Sequence, residues 1–218
     1  MEFKIMDKYK KIAVFDICDT LYKCNTTYKY IEFITERRVF FPQDYMICKL
    51  FNKVFNIVFS IDIIRYYNIK RLKGYKEKML KDKAKEFVSK IDRNESIFEL
   101  LNKFKRNGFE VILLSATVDP VAESIGECVG AKRVYSSELN FSSKNICDGT
   151  IGRDLLGNKK DTMYELSLVS NELVFVTDNK SDSSCIELCD EFIAVVPSGR
   201  KKNYEFWKDK GIRRIICL

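Results

Sequence analysis

Short apolar runs, each closed by a small polar or acidic side chain, recur along the chain. Lys11-Ile-Ala-Val-Phe-Asp16, Val111-Ile-Leu-Leu-Ser115 and Leu173-Val-Phe-Val-Thr-Asp178 share this form, and Phe192-Ile-Ala-Val-Val196 and Arg214-Ile-Ile-Cys-Leu218 extend the series. Their apolarity is continuous rather than alternating, which suits strands covered on both faces, as in a parallel sheet. Between them, Ser96 to Gly108 has i, i+3, i+4 apolar spacing, with Gly108 placed to stop a helix. Asp119-Pro120 opens another helix, and residues 161–170 and 181–189 read as two more. Strand and helix alternate from about residue 95 onward, which predicts an α/β fold, a doubly wound parallel sheet with a Rossmann-like core.

Two segments break the rhythm. Residues 25–91 carry aromatic-rich helical patterns without a clear strand, and Asn140 to Gly152, with Asp148-Gly149, reads as a small β-hairpin excursion. The expected organisation is a core of residues 1–24 and 92–218, interrupted by an α-helical cap of residues 25–91. The cap's aromatics are Phe33, Phe40, Phe41, Tyr45, Phe51, Phe55, Phe59, Tyr66 and Tyr67. They suit a small core of its own and packing onto the sheet. A second use is an apolar groove giving peripheral contact with a lipid-linked phosphate.

Composition narrows the chemistry. Hydrophobic residues at 46% and charged residues at 32% mark a globular chain. Histidine is absent, which excludes Ser-His-Asp and Cys-His catalysis and His-ligated metals. The eight cysteines form no C-x-x-C pair and read as reduced thiols. Met1-Glu2-Phe3-Lys4 opens no secretory signal. The apolar-rich run from Val54 to Ile64 is interrupted by Asn56, Ser60 and Asp62, too polar to span a membrane. A cytoplasmic location is expected. The net charge of +7 favours acidic ligands. Arg65 to Lys85 holds nine Lys and Arg against Glu77 and Asp82, either a solvated helical face or an anion-attracting surface. No nucleic-acid-binding motif accompanies the charge, so no nucleic acid partner is expected.

In doubly wound sheets, ligands bind beyond the carboxyl ends of the strands. Asp16, Ser115 and Asp178 close three predicted strands, and Gly157-Asn158-Lys159-Lys160 opens a helix. Each feature alone is ordinary; together, in this order, they form a specific constellation. Val14-Phe-Asp16-Ile-Cys18-Asp19-Thr20 resembles the first motif of the haloacid dehalogenase superfamily. Leu113-Leu-Ser115-Ala116-Thr117 is similar to its second, Gly157-Asn-Lys-Lys160 to its third, and Val176-Thr-Asp178-Asn-Lys-Ser-Asp182 to its fourth. The stretch from Ser115 through Glu123, Gly130, Asp148-Gly149 and Gly157 resembles the phosphoserine-phosphatase-like branch, which carries a helical cap between the first two motifs.

That resemblance implies a Mg²⁺-dependent phosphohydrolase for a phosphorylated small molecule. A carboxylate can attack phosphorus and form an aspartyl phosphate, splitting one hard displacement into two; this is the role of Asp16. The resemblance places Mg²⁺ on Asp16, Asp178 and the backbone carbonyl of Cys18, with Asp182 as a further or supporting ligand. It places Thr20, Ser115, Ala116, Thr117 and Lys160 against the substrate, the Gly-x-x-Lys spacing selecting Lys160, with Lys159 as the alternative.

One departure matters. Phosphatases of this superfamily usually carry a general acid/base Asp two residues after the nucleophile, where this chain has Cys18. Asp19 follows one residue later and is the candidate catalytic replacement. A positioned acid contributes typically about 10²–10⁴-fold, so its loss slows hydrolysis without abolishing it. Besides the phosphohydrolase, two other readings stay open. One is a dehalogenase-like hydrolase, whose halide leaving group needs no proton. The other is a binding or regulatory protein that keeps the phosphate pocket with weak or no catalysis.

Overall fold

The computed structural model describes residues 10–39 and 63–218. A seven-stranded sheet has the order β4-β3-β2-β1-β5-β6-β7. Its strands are β1 (Lys11–Phe15), β2 (Glu110–Val118), β3 (Arg133–Phe141), β4 (Cys147–Arg153), β5 (Glu172–Thr177), β6 (Glu191–Val196) and β7 (Arg214–Cys217). All neighbours are parallel except β3 and β4, which form the expected antiparallel hairpin. The turn lies at residues 142–146, where Asn145 adopts φ 55°. Asp148-Gly149 sits inside β4 instead. At Gly149 (φ +82°) a Cβ would lie 3.0 Å from the Lys70 carbonyl oxygen, so glycine serves a close backbone approach there.

Five described helices precede β4 or flank the rim strands: α1 (Thr26–Thr35), α2 (Ile63–Ile69), α3 (Glu77–Val88), α4 (Glu95–Arg106) and α5 (Asp119–Val129). Two more, α6 (Lys160–Val169) and α7 (Lys201–Asp209), follow. Alternate strand residues divide between two apolar clusters. Phe15, Val111, Leu113, Val174, Val176 and Ile193 face one side with Phe104, Val121 and Ile125. Ile12, Val14, Ile112, Leu114, Phe175 and Ala194 face the other with Met163, Cys185 and Trp207. Burial on both faces is why the strands read as unbroken apolar runs.

Two elements differ in detail from expectation. β2 continues through Ser115, Ala116 and Thr117 to Val118, and its pairing with β3 slips between Leu114 and Val118. The stretch 181–189, expected as a helix, takes the 3₁₀ form (Lys180–Leu188). Asp182 and Cys185, three residues apart, are its buried residues. That period of three matches 3₁₀ geometry, in which i and i+3 eclipse.

The segment expected as a cap supplies helices α1 to α3, and its buried residues Tyr30, Ile31, Leu72, Leu80, Ala84 and Phe87 belong to the same cluster as Phe15 and Val121. Of its aromatics, Phe33 packs on Phe87 with ring centroids 5.7 Å apart, while Tyr66 and Tyr67 are exposed. Phe40, Phe41, Tyr45, Phe51, Phe55 and Phe59 lie outside the described residues. The basic run on α3 pairs with the sheet-packed helix: Lys81 lies 3.3 Å from Glu123 and Lys85 lies 3.0 Å from Glu127. No helix among the described residues is long and apolar enough to cross a membrane.

Gly126 lets α5 approach the sheet. A Cβ there would meet Val134 Cγ2 at 2.3 Å, and valine is stiff at χ1. Gly126→Ala is therefore expected to lower unfolding stability by about 1–3 kcal/mol through overpacking, despite alanine's higher helix propensity. Urea denaturation checks the sign.

Candidate active site

β1 and β5 are adjacent, and Asp16 N donates to Val176 O at 2.9 Å, extending their pairing one residue past β1. Asp16 and Asp178 therefore emerge on the same rim of the sheet. Asp16 is 4% exposed, and its Oδ1 accepts from Ile17 N at 2.7 Å. The buried Lys159 ammonium lies 2.8 Å from Asp16 Oδ2 and 2.8 Å from Asp182 Oδ2. Burial alone would pull Lys159 down, but the carboxylates of Asp16 and Asp182 hold its pKa above the usual range.

Of the two candidate lysines, this geometry brings Lys159 to Asp16. Lys160, selected by spacing, is exposed as the first residue of α6, whereas Lys159 precedes the helix and points inward. It also changes Asp182. Its Oδ2 accepts from Lys159 and, at 2.7 Å, from Thr177 Oγ1, so this carboxylate holds the lysine rather than presenting that oxygen to a metal. Thr20, expected against substrate, is fully buried and clasps Asp178 instead. Its Oγ1 donates to Asp178 Oδ1 at 3.1 Å and accepts from Asp178 N at 2.9 Å.

Ser115 and Thr117 sit within the slipped part of β2, buried, with their hydroxyl oxygens 3.0 Å apart. Thr117 Oγ1 lies 2.8 Å from Thr26 Oγ1 on α1, and Cys18 Sγ lies 3.1 Å from Thr26 and 3.3 Å from Thr117. Cys18 thus ends a chain of hydroxyls. Burial, followed by the nearby Asp16 charge, raises its pKa and keeps it a neutral thiol. The Thr26 contribution had a sequence signal that went unused: Asn25-Thr26-Thr27 opens a helix, with Asn25 capping Tyr28 N at 3.0 Å. Ala116 contributes its carbonyl to Arg65, a buried residue of α2.

Asp19 adopts φ 50°, a left-handed conformation that Asp tolerates better than most residues. Its carboxylate lies 3.6 Å from Arg200. Burial raises its pKa, Arg200 opposes the rise and Asp16 adds to it. Asp16, Cys18, Asp19 and Asp178 line one cavity of about 400 Å³ together with Asn25, Asn179, Lys180, Arg200 and Asn203. Arg200, in the turn before α7, had no distinguishing sequence pattern.

Among the described residues, no group of three or more His, Cys, Asp or Glu side chains is arranged to hold a metal ion. Mg²⁺ needs less: it keeps several waters and takes one or two carboxylates plus substrate phosphate. Burial, with Asp16 and Asp19 nearby, pushes Asp178 up to about 8. Repelling carboxylates around a cavity are a hard-oxygen donor set whose charge a divalent cation would balance. The residues present fit that ion.

Residues 13–187 match the family of haloacid dehalogenase-like hydrolases. This chain belongs to that family. Comparison with curated proteins finds no match. Among solved structures, a Bordetella pertussis protein of unknown function shares the fold at a TM-score of 0.72 and 16% identity, over 95% of this chain and 98% of that one. A phospho-aspartyl intermediate analogue of phosphoserine phosphatase aligns at 0.65 and 17%, covering 95% and 93%. A cytosolic 5'-nucleotidase IIIB bound to cytidine aligns at 0.65 and 13%, covering 96% and 80%. At such identities the likeness is one of fold alone.

Replacing Lys159 separates the two lysines. Without divalent cation, Lys159→Met leaves Asp16 and Asp182 buried without their counter-ion and is expected to cost about 3–5 kcal/mol. Lys160→Met should stay within about 0.5 kcal/mol, as exposed substitutions do. Chemical denaturation of both variants at neutral pH measures the contrast.

Proposed function

We propose that the protein is a cytoplasmic Mg²⁺-dependent phosphohydrolase acting on a small phosphorylated metabolite through an aspartyl phosphate. The observation that carries this reading is Asp16: a carboxylate at the tip of β1, held by Ile17 N–H and Lys159, opening into a cavity shared with Asp178. One fold neighbour is itself a phospho-aspartyl intermediate analogue.

In the first step an Asp16 oxygen attacks phosphorus while the bond from phosphorus to the ester oxygen breaks, that oxygen leaving with the electron pair. Water then attacks the aspartyl phosphate, releasing inorganic phosphate and restoring the carboxylate. Lys159 orients Asp16 and offsets charge spread over the transferring phosphoryl group. Ser115 and Thr117 are the hydroxyl donors for its oxygens. Asp16, Asp178, fixed by Thr20, and the Cys18 carbonyl would hold Mg²⁺, which when bound would supply positive charge against the repulsion between phosphate and carboxylates. Cys18 supplies no carboxylic acid, so the leaving oxygen takes its proton from Asp19, across the same cavity, or from water.

A panel of phosphate esters assayed with and without Mg²⁺ tests the reading. Turnover is expected to vanish on chelation and to fall about 10³-fold or more in Asp16→Asn. Cys18→Asp, which restores a carboxylic acid, is expected to raise generic esterase activity, by up to about 10²-fold. Metal-independent halide release would replace the proposal with dehalogenation. Failure to turn over any ester, combined with failure to bind beryllium fluoride and Mg²⁺ at Asp16, would leave a protein without this chemistry.

A further inference from the structure

Arg65 belongs to α2, yet its side chain is buried. A buried guanidinium requires partners, and it finds them on the rim that carries the site. Its Nε donates to Asp154 Oδ2 at 3.2 Å and its Nη2 to Oδ1 of the same carboxylate at 3.3 Å, a two-point grip. The same Nη2 donates to Ser137 Oγ at 3.2 Å and to the Ala116 carbonyl.

Both contacts lead to groups of the phosphate pocket. Ala116 separates Ser115 from Thr117 in the part of β2 that slips against β3. Asp154 begins the connection to Lys159. Its Oδ1 accepts from Ser137 Oγ at 2.8 Å and Leu156 N at 3.0 Å, while its carbonyl accepts from Asn158 Nδ2 at 3.2 Å. Ser137 Oγ in turn accepts from Leu155 N at 3.1 Å. One side chain, reaching in from a helix outside the sheet, therefore joins the hydroxyl-bearing strand segment to the turn that delivers the buried lysine.

We infer that Arg65 is a positioning residue: by gripping Asp154 and the Ala116 carbonyl together, it sets Ser115 and Thr117 in register with Lys159 and makes the phosphate pocket depend on the seating of α2. The inference rests on the proposed function, because the groups it aligns are those assigned to the phosphoryl oxygens. The geometry calls for a planar fork. A lysine at 65 would keep the charge but could not grip two oxygens of Asp154 while also reaching Ala116.

Arg65→Lys, Arg65→Met and Asp154→Asn test this in the full chain. In variants that keep the wild-type melting temperature, kcat for p-nitrophenyl phosphate is expected to fall about tenfold while KM stays within about threefold. Beryllium fluoride affinity in the presence of Mg²⁺ should fall by a similar factor. The Arg65→Met/Asp154→Asn double variant should be no worse than its worse parent, as expected of groups acting together. If Arg65→Met fails to fold, Arg65→Lys and Asp154→Asn carry the measurement. Hydrogen exchange gives a readout independent of turnover: peptides covering 111–118 and 154–162 should lose protection together while β5 and β6 keep theirs. Wild-type kcat, beryllium fluoride affinity and exchange in folded Arg65→Lys and Asp154→Asn would overturn the inference. A wild-type protein that neither turns over esters nor binds beryllium fluoride would defeat the proposed function instead, and the exchange pattern alone would then decide the role of Arg65.

Discussion

The ammonium of Lys159, shared between Asp16 and Asp182, is the contact on which the rim of this sheet depends. Two carboxylates, one just past β1 and one in the 3₁₀ segment after β5, brought together and shielded from water repel each other. Neither burial nor hydrogen bonding to Thr177 or Ile17 N–H supplies a compensating positive charge. Lysine does, and at 2.8 Å from both partners it ties β1, the turn after β4 and the 3₁₀ segment after β5 to one point. The arrangement is costly to desolvate. Under the proposed function, its value is that the Asp16 carboxylate is oriented before a substrate arrives.

Around that point the polar groups divide by task. On one flank Thr20 clamps Asp178 and faces the carboxylates that suit a hard cation. On the other, Ser115, Thr117, Thr26 and Cys18 form a chain of small donors. Cys18 places a neutral thiol among those hydroxyls, and Asp19 faces the cavity from a left-handed turn, balanced by Arg200.

Much of this was readable from the chain. The strands were legible because burial on both sheet faces leaves unbroken apolar runs, and Asp16 and Asp178 were legible because they end such runs. Spacing left Lys159 and Lys160 open, because one residue decides between a side chain aimed inward and one at the exposed start of a helix. At Thr20 and Asp182 the residue types fit either ligand contact or support, a choice made only by which neighbours fold against them. Arg65 looked like one more cation in a basic run. Only the sheet edge, supplying Asp154 and Ser137 from nearly ninety positions away at most, distinguishes it from its solvated neighbours.

Tyr30, Leu80 and Phe87, from helices outside the sheet, lie in one apolar mass with Phe15 and Val121. Lifting α1 and α3 away would wet these side chains, each losing about 1.5–3 kcal/mol, so a wide swing of those helices is disfavoured. Access to the cavity at Asp16 then falls to the mouth between the β1 turn and the start of α7. Shortening or transplanting the helical segment, a common way to alter selectivity in modular enzymes, would here tear open the main body of the protein.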